Sequence, residues 1–350
     1  MIRPEIRAIR AYTISADAPA VLRAKLDFNE SPFDVPAEIK QQVFERVLER
    51  RWALYPELGN PRLRESIARS LGRRPEEIVV GNGSGELLLA GVAIGAGSGG
   101  RLLLAPPTFS LYRQMAAIAG AALVEVPRHG PDFALDEERM LEETRVARTV
   151  PLVCTPNNPT GGVASRAFVE RLLATSALVL VDQAYADFAE PEDDFLPLVD
   201  AHPNAVVFRT LSKAFSVAGF RIGYAVAGEP LARELEKGFL PYSVDAAAEE
   251  LALAVLERPE TARRTIATIR SERQRVAERL RTLGALVATS RANFLFFRPP
   301  NGEGAAVREA LLKCGILIRD MSGALPGWLR VSIGTAEQND LFLSALKEVV

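Results

Sequence analysis

Seven short runs with nearly continuous apolar character constrain most strongly what this chain can fold into. They are Ile78–Val80, Leu102–Ala105, Leu123–Val126, Leu152–Cys154, Val179–Asp182, Val206–Arg209 and Gly223–Val226. A strand with one wet face alternates apolar and polar residues, whereas a strand buried on both faces does not. Helical patterns separate several of the runs, at Gly85–Ile94, Phe109–Ala119 and Arg166–Ala174. This alternation of strand and helix predicts an α/β fold with a large, doubly wound, mostly parallel seven-stranded sheet covered by helices.

The pattern changes after the last run. Leu251–Leu283 is a long helical stretch in which Pro259 offers one break. Strands at Phe294–Arg298 and Leu329–Ile333, with helices near Ala305–Lys313 and Glu337–Val349, predict a second, smaller α+β domain. The opening residues hold no βαβ unit and are expected to wrap onto it. The expected division is an N-terminal arm over 1–35, a large domain over 36–257 and a small C-terminal domain over 258–350. A chain of 350 residues suits two domains at about 100–200 residues each.

Several function classes fall away on composition. A net charge of −2 supplies no broad basic field for nucleic acid. No apolar run approaches the roughly 18 residues of a membrane span, and MIRPEIRAIR lacks the apolar core of a secretory signal, so the expected setting is the cytoplasm. Two cysteines, Cys154 and Cys314, and two histidines, His129 and His202, argue against a disulfide framework or a metal cage. Gly95, Gly97 and Gly100 match the spacing of a dinucleotide loop, but they follow a helix and open a strand, the reverse of what that loop requires. Neither a Walker-type phosphate loop nor a G-x-S-x-G elbow occurs.

Four segments that follow candidate strands carry the chemistry: Gly81–Glu86, Thr155–Gly161, Val181–Tyr185 and Thr210–Arg221. Ligands of open α/β sheets bind at the carboxyl ends of the strands, so the four can converge. Gly81-Asn-Gly-Ser-Gly-Glu86 runs from strand to helix. It is either a plain turn or a helix N-terminus that binds an anion. Lys213 is one of six lysines and sits among small and hydroxyl residues, near Thr210, Ser212 and Arg221. A lysine in a desolvated, cationic site has a lowered pKa and can form a Schiff base, and an arginine fork can hold phosphate. Asp182 ends a buried strand, where it either caps the next helix or faces a protonated ring nitrogen. Asn157 and Tyr185 can donate to a phenolate-like oxygen. Tyr112 can stack on a flat ring or pack in the core.

Taken in order, these segments resemble the fold-type I pyridoxal-phosphate-dependent aminotransferases, and within them the histidinol-phosphate aminotransferases. The resemblance also rests on Arg3–Arg7 with Tyr12, Leu26–Pro32, Tyr55-Pro56, Pro241–Val244, Ala292–Phe294, Ile318–Asp320 and Leu329–Gly334, and it spans nearly the whole chain. It implies pyridoxal 5'-phosphate as cofactor, with Lys213 as its covalent anchor and proton carrier. It implies Asp182 on the ring nitrogen, Asn157 and Tyr185 on the ring hydroxyl, and Tyr112 on the ring face. The cofactor phosphate would fall to Ser84, Gly85, Ser212 and Arg221, with Thr210 close by. Tyr55 would reach the phosphate in a neighbouring subunit, which implies a homodimer with shared sites. Arg319 and Arg330 would bind the anionic ends of histidinol phosphate and of glutamate or 2-oxoglutarate, and Tyr12 and Asn29 would line the entrance. No metal is implied.

Two positions depart from the family pattern: Gly85 stands where Asp is common, and Gln183 where Glu is usual after the aspartate. The lead-in over Ser15–Arg23 is also short, which bears on substrate choice. Other readings on the same scaffold are an aromatic or other amino-acid aminotransferase and a decarboxylase of a phosphorylated amino acid. A non-catalytic regulator would carry a DNA-binding domain ahead of the aminotransferase-like part. The roughly 30 residues before it are too few for a domain.

Overall fold

The structure is a computed structural model that describes residues 2–9, 21–323 and 325–350. In chain order its strands are β1 (Ala24–Leu26), β2 (Ile78–Asn82), β3 (Arg101–Leu104), β4 (Ala122–Glu125), β5 (Thr149–Cys154) and β6 (Val179–Asp182). There follow β7 (Ala205–Thr210), β8 (Ile222–Ala227), β9 (Leu286–Val287), β10 (Phe294–Arg298), β11 (Ile316–Asp320) and β12 (Leu329–Ser332). A seven-stranded sheet has the order β2-β8-β7-β6-β5-β3-β4, and a five-stranded sheet the order β1-β11-β12-β10-β9. In the larger sheet β4, β3, β5, β6 and β7 are parallel, while β8 runs against both β7 and β2. The expected doubly wound, mostly parallel sheet is therefore present.

The apolar runs form strands because each residue finds a helix layer on its own side of the sheet. Along β6, Val179 and Val181 join one core with Phe168 and Leu172, while Leu180 joins the other with Leu87 and Tyr112. β7 divides likewise, with Val207 on the first side and Val206 and Phe208 on the second. The edge strand β4, by contrast, buries none of its four residues fully.

The smaller sheet has its own core around Phe297, Ile318, Val331 and Phe342. Three of its strands, β1, β9 and β11, have no counterpart among the strands expected from the sequence. β1 and β9 hold three and two residues, too few to show a period. β1 pairs in parallel with β11, Ala24 opposite Ile316, which ties the amino-terminal segment to the carboxyl-terminal sheet. The long helical stretch is two helices. Ala246–Leu256 is capped by Asp245, whose carboxylate accepts from Ala247 N and Ala248 N, and Pro259–Thr282 opens on its proline. Helices Ala37–Glu49 and Pro61–Leu71 were not anticipated.

The parallel strands β2, β5, β6 and β7 end at one edge of the large sheet, at Asn82, Cys154, Asp182 and Thr210. β8 begins at that same edge, with Gly223 opposite Thr210 and Ile222 opposite Asn82. Leu180→Ala, at the centre of this sheet, should cost about 2–5 kcal/mol, and Leu123→Ala on β4 well under half of that. Urea unfolding midpoints check the ranking, which fails if the two variants lose equal stability.

Candidate active site

The edge where these strands end opens into a cavity of about 260 Å³, lined from the large sheet by residues including Ser84, Gly85, Asp182, Ser212 and Lys213. Asn29 and Arg330 enter from the side of the smaller sheet. Of the positions expected in the site, Tyr112, Tyr185, Thr210 and Arg221 also line this cavity. Asn157, Arg319 and Tyr55 do not, and Tyr12 lies outside the described residues.

At one end the backbone builds an anion cradle. β2 passes through Gly83, at φ 79°, into the helix Ser84–Ala96, whose first amides have no partner within the helix. A Cβ on Gly83 would stand 2.3 Å from Arg221 Nη2, and one on Gly223 would stand 2.1 Å from Ser84 N. The two glycines thus let the arginine and the start of β8 close on the helix N-terminus. Arg221 Nη1 donates to Ala218 O at 3.1 Å and reaches Ser212 Oγ at 3.5 Å. Thr210 Oγ1 lies 2.9 Å from both Ser212 Oγ and Ile222 O and accepts from Ser212 N, so it shapes the turn that presents Ser212. Helix amides, a hydroxyl and a guanidinium around one point suit a phosphate. A Cβ at Gly85 would meet nothing within 4 Å, so space does not require glycine there.

Asp182 sits at the other end, buried. Its Oδ1 accepts from Ala184 N at 2.9 Å and its Oδ2 from the Tyr112 hydroxyl at 2.5 Å. Burial raises its pKa, and the Tyr112 hydrogen bond opposes that shift. A desolvated carboxylate with two donors and no cation beside it suits a protonated ring nitrogen. Tyr112 is wholly buried, with its hydroxyl committed to Asp182, and burial and Asp182 push its pKa well up. Phe109, edge-on to Tyr112 at 5.4 Å, also lines the cavity and was missed in the sequence. Its signal is its place in the loop after β3, a fifth strand end of the parallel sheet.

The structure corrects the Asn157 expectation. Asn157 Nδ2 donates to Pro107 O and Thr160 Oγ1, and its Oδ1 accepts from Thr108 Oγ1, so its amide is consumed within the turn. The next residue, Asn158, faces the cavity instead. Its Nδ2 reaches the Tyr185 hydroxyl at 3.4 Å and its Oδ1 accepts from Arg330 Nη1 at 2.6 Å. Tyr185 also accepts from Asn29 Nδ2 at 3.1 Å, and burial pushes its phenol up to about 12. Gln183 turns away: its Nε2 donates to Asp193 O, and its Oε1 accepts from Phe195 N and Arg209. A glutamate could not make the first of these bonds while ionised.

Lys213 follows β7, which lies between β2 and β6 in the sheet, and is half-buried, with Nζ donating to Phe28 O at 3.3 Å. Burial, then the charge of Arg330, lowers its pKa to about 8. Arg330 is buried, donates from Nη2 to Asp27 O at 2.6 Å, and lies over the Phe294 ring. Arg319 stands directly opposite it in the β11–β12 register and is half-buried. Tyr55 is 81% exposed, stacks on Tyr242 at 4.8 Å and does not line the cavity.

Residues 24–346 match the family described as aminotransferase class I and II. The chain belongs to that family. It is 38% identical over 348 residues to a histidinol-phosphate aminotransferase of Thermococcus kodakarensis, covering 99% of this chain and 98% of the relative. It is 35% identical over 354 residues to the enzyme of that name from Chlorobaculum tepidum, covering both chains fully. Among solved structures, a histidinol-phosphate aminotransferase from Sinorhizobium meliloti in complex with pyridoxal-5'-phosphate superposes with a TM-score of 0.87 at 23% identity, over 99% of this chain and 97% of that one. An L-threonine-O-3-phosphate decarboxylase from Porphyromonas gingivalis shares the fold, at TM-score 0.77 and 23% identity, over 93% and 99%.

Burial and the charge of Arg330 together free part of the Lys213 amine of its proton near pH 8. Labelling of Lys213 in the apoprotein by an amine-reactive reagent should rise with pH around a midpoint of about 8. Removing the positive charge in Arg330→Gln should move that midpoint upward and slow labelling at pH 7.5. Peptide mass spectrometry across a pH series reads this out, and an unmoved midpoint would remove Arg330 from the account.

Proposed function

We propose that this aminotransferase converts L-histidinol phosphate and 2-oxoglutarate to imidazole acetol phosphate and L-glutamate, with pyridoxal 5'-phosphate as cofactor. The observation that carries the reading is the cavity itself: a lysine of lowered pKa between a helix N-terminus and a buried carboxylate. The amino donor follows the full-length relatives that bear this name. Two arginines side by side on β11 and β12 supply charge for a phosphate and a carboxylate taken in turn.

The residues fit the cofactor as follows. The Ser84 and Gly85 amides, Ser212 and Arg221 would hold its phosphate, with Thr210 bracing Ser212. Asp182 would hold the ring nitrogen in its protonated form, and Tyr112 would keep Asp182 ionised. Tyr185 and Asn158 would meet the ring hydroxyl, and Phe109 and Tyr112 would wall the ring. When bound, pyridoxal phosphate supplies an electron sink for the negative charge that develops on the substrate carbon. Lys213 would anchor the cofactor at rest, and once the substrate amine had displaced it, its free amine would take the proton from the substrate carbon that bears the amino group. Arg330, with Arg319 beside it, and Asn29 would orient the substrate.

The protein is read as a homodimer working in the cytoplasm. Among the described residues no helix is long and apolar enough to cross a membrane. Tyr55 projects with Trp52, Leu54 and Leu58 as an exposed apolar group, suited to entering a partner subunit near its cofactor phosphate. Sedimentation should give about twice 38.0 kDa, with Tyr55→Phe weakening cofactor binding. A fully active monomer would exclude the shared site.

The direct test is a half-reaction. Histidinol phosphate added without keto acid to the cofactor-loaded enzyme should remove the visible band of lysine-bound cofactor, and Lys213→Ala should show neither band nor turnover. A band that ignores histidinol phosphate but answers phenylalanine or glutamate would assign another amino donor.

A further inference from the structure

The helix Pro259–Thr282 buries a cation that belongs to no ion pair among the described residues. Arg273 is 8% exposed, and its Nη1 donates to two backbone carbonyls, Phe188 O at 3.0 Å and Ala292 O at 2.9 Å. Burial, then the like charges of Arg270 and Arg291, lowers its pKa to about 10. The charge of Glu190 acts on it without salt-bridge contact, and a buried guanidinium with no carboxylate against it is costly, so what it joins matters.

The two carbonyls belong to the two segments that frame Tyr185. Phe188 closes the short helical turn Ala186–Phe188 that directly follows Tyr185. Ala292 lies two residues before Phe294, the first residue of β10. The Tyr185 ring meets Phe294 edge-on, with centroids 5.1 Å apart and planes at 85°. Between Ala292 and Phe294, Asn293 Nδ2 donates to Asn29 O at 3.0 Å, and Asn29 Nδ2 in turn donates to the Tyr185 hydroxyl. One guanidinium nitrogen thus ties the segment that carries the tyrosine to the segment that supplies its ring support and steadies its hydroxyl donor.

We propose that Arg273 is a positioning residue. By joining Phe188 O to Ala292 O it fixes the Tyr185 phenol against Phe294 and Asn29, and so sets where that hydroxyl meets the cofactor's ring oxygen. This rests on the reading of Tyr185 as a cofactor contact. Arg273 itself touches neither cofactor nor substrate. A group held slightly out of place binds and tunes less well, although every atom of it remains.

The test is a double-mutant cycle on the whole chain: Arg273→Met, Tyr185→Phe and the pair together, with Arg273→Lys as the conservative variant. Apoprotein is titrated with pyridoxal phosphate for its dissociation constant, and the pH midpoint of the visible band of the loaded protein is measured. Circular dichroism melts check that each variant folds. Arg273→Met should weaken cofactor binding about tenfold and shift the midpoint in the same direction as Tyr185→Phe. Arg273→Lys should recover much of both, and the double variant should be no worse than Tyr185→Phe alone. Losses that multiply in the double variant, or an Arg273→Met protein with both readouts unchanged, would overturn the proposal. If Tyr185→Phe matches the parent in both readouts, the role of Tyr185 fails and the proposal falls with it. If Arg273→Met does not fold, the cycle is run with Arg273→Lys, whose partial losses must also vanish on the Tyr185→Phe background.

Discussion

The reversal of β8 is the constraint on which the site depends. In a purely parallel sheet, the chain leaving β7 would cross to the far edge before forming another strand. Here it turns back after Thr210 and re-enters at Ile222, beside the strand end it has just left. Ser212, Lys213 and Arg221 all lie in that return, so one turn presents them at the edge where β2 and β6 deliver the helix N-terminus and Asp182. The close approach is purchased by Gly83 and Gly223, whose missing Cβ atoms leave room for a guanidinium and a helix amide. Neither glycine contributes a functional group, yet the cradle cannot close without them.

Electrostatics then follows from burial. Asp182 and Lys213 are both desolvated, which raises the pKa of the acid and lowers that of the base. A specific neighbour then opposes the first shift and another adds to the second. Tyr112 gives the carboxylate a proton donor, and Arg330 presses the lysine further toward its neutral form. Both shifts are set by burial and fixed neighbours rather than by solvent.

The large sheet was legible because both of its faces are covered, so its strands read as unbroken apolar runs with helical periods between them. The smaller sheet was legible only in β10 and β12. β1 and β9 are too short to repeat any pattern and exist because a neighbour offers them hydrogen bonds. Lys213, Asp182, Ser84 and Arg221 could be found because strand ends of a parallel sheet converge, a rule that needs only the order of elements. The rule cannot say which way a side chain turns. Asn157 and Asn158 are adjacent and chemically identical, and only the partners at Pro107, Thr108 and Thr160 decide that the first turns inward to its own loop. Tyr112 is a similar case. Its place in the wall was foreseeable, but its bond to Asp182 spans 70 residues of sequence and depends on how two strand ends meet.

The cavity draws its floor from the large sheet and its opposite wall, Asn29 and Arg330, from beside and within the small one. The residues suited to the cofactor therefore stand mainly at the edge of the large sheet, and those suited to the substrate beside or within the small one. Mutational drift in β1, β11 or β12 can reshape what enters without disturbing the groups that perform the reaction. A lineage with this layout can exchange substrates while keeping its chemistry. The cost of such an exchange falls on the bonds that cross between the two, among them Asn29 to Tyr185, Arg330 to Asn158 and Lys213 to Phe28 O, which any successful new specificity must preserve or replace.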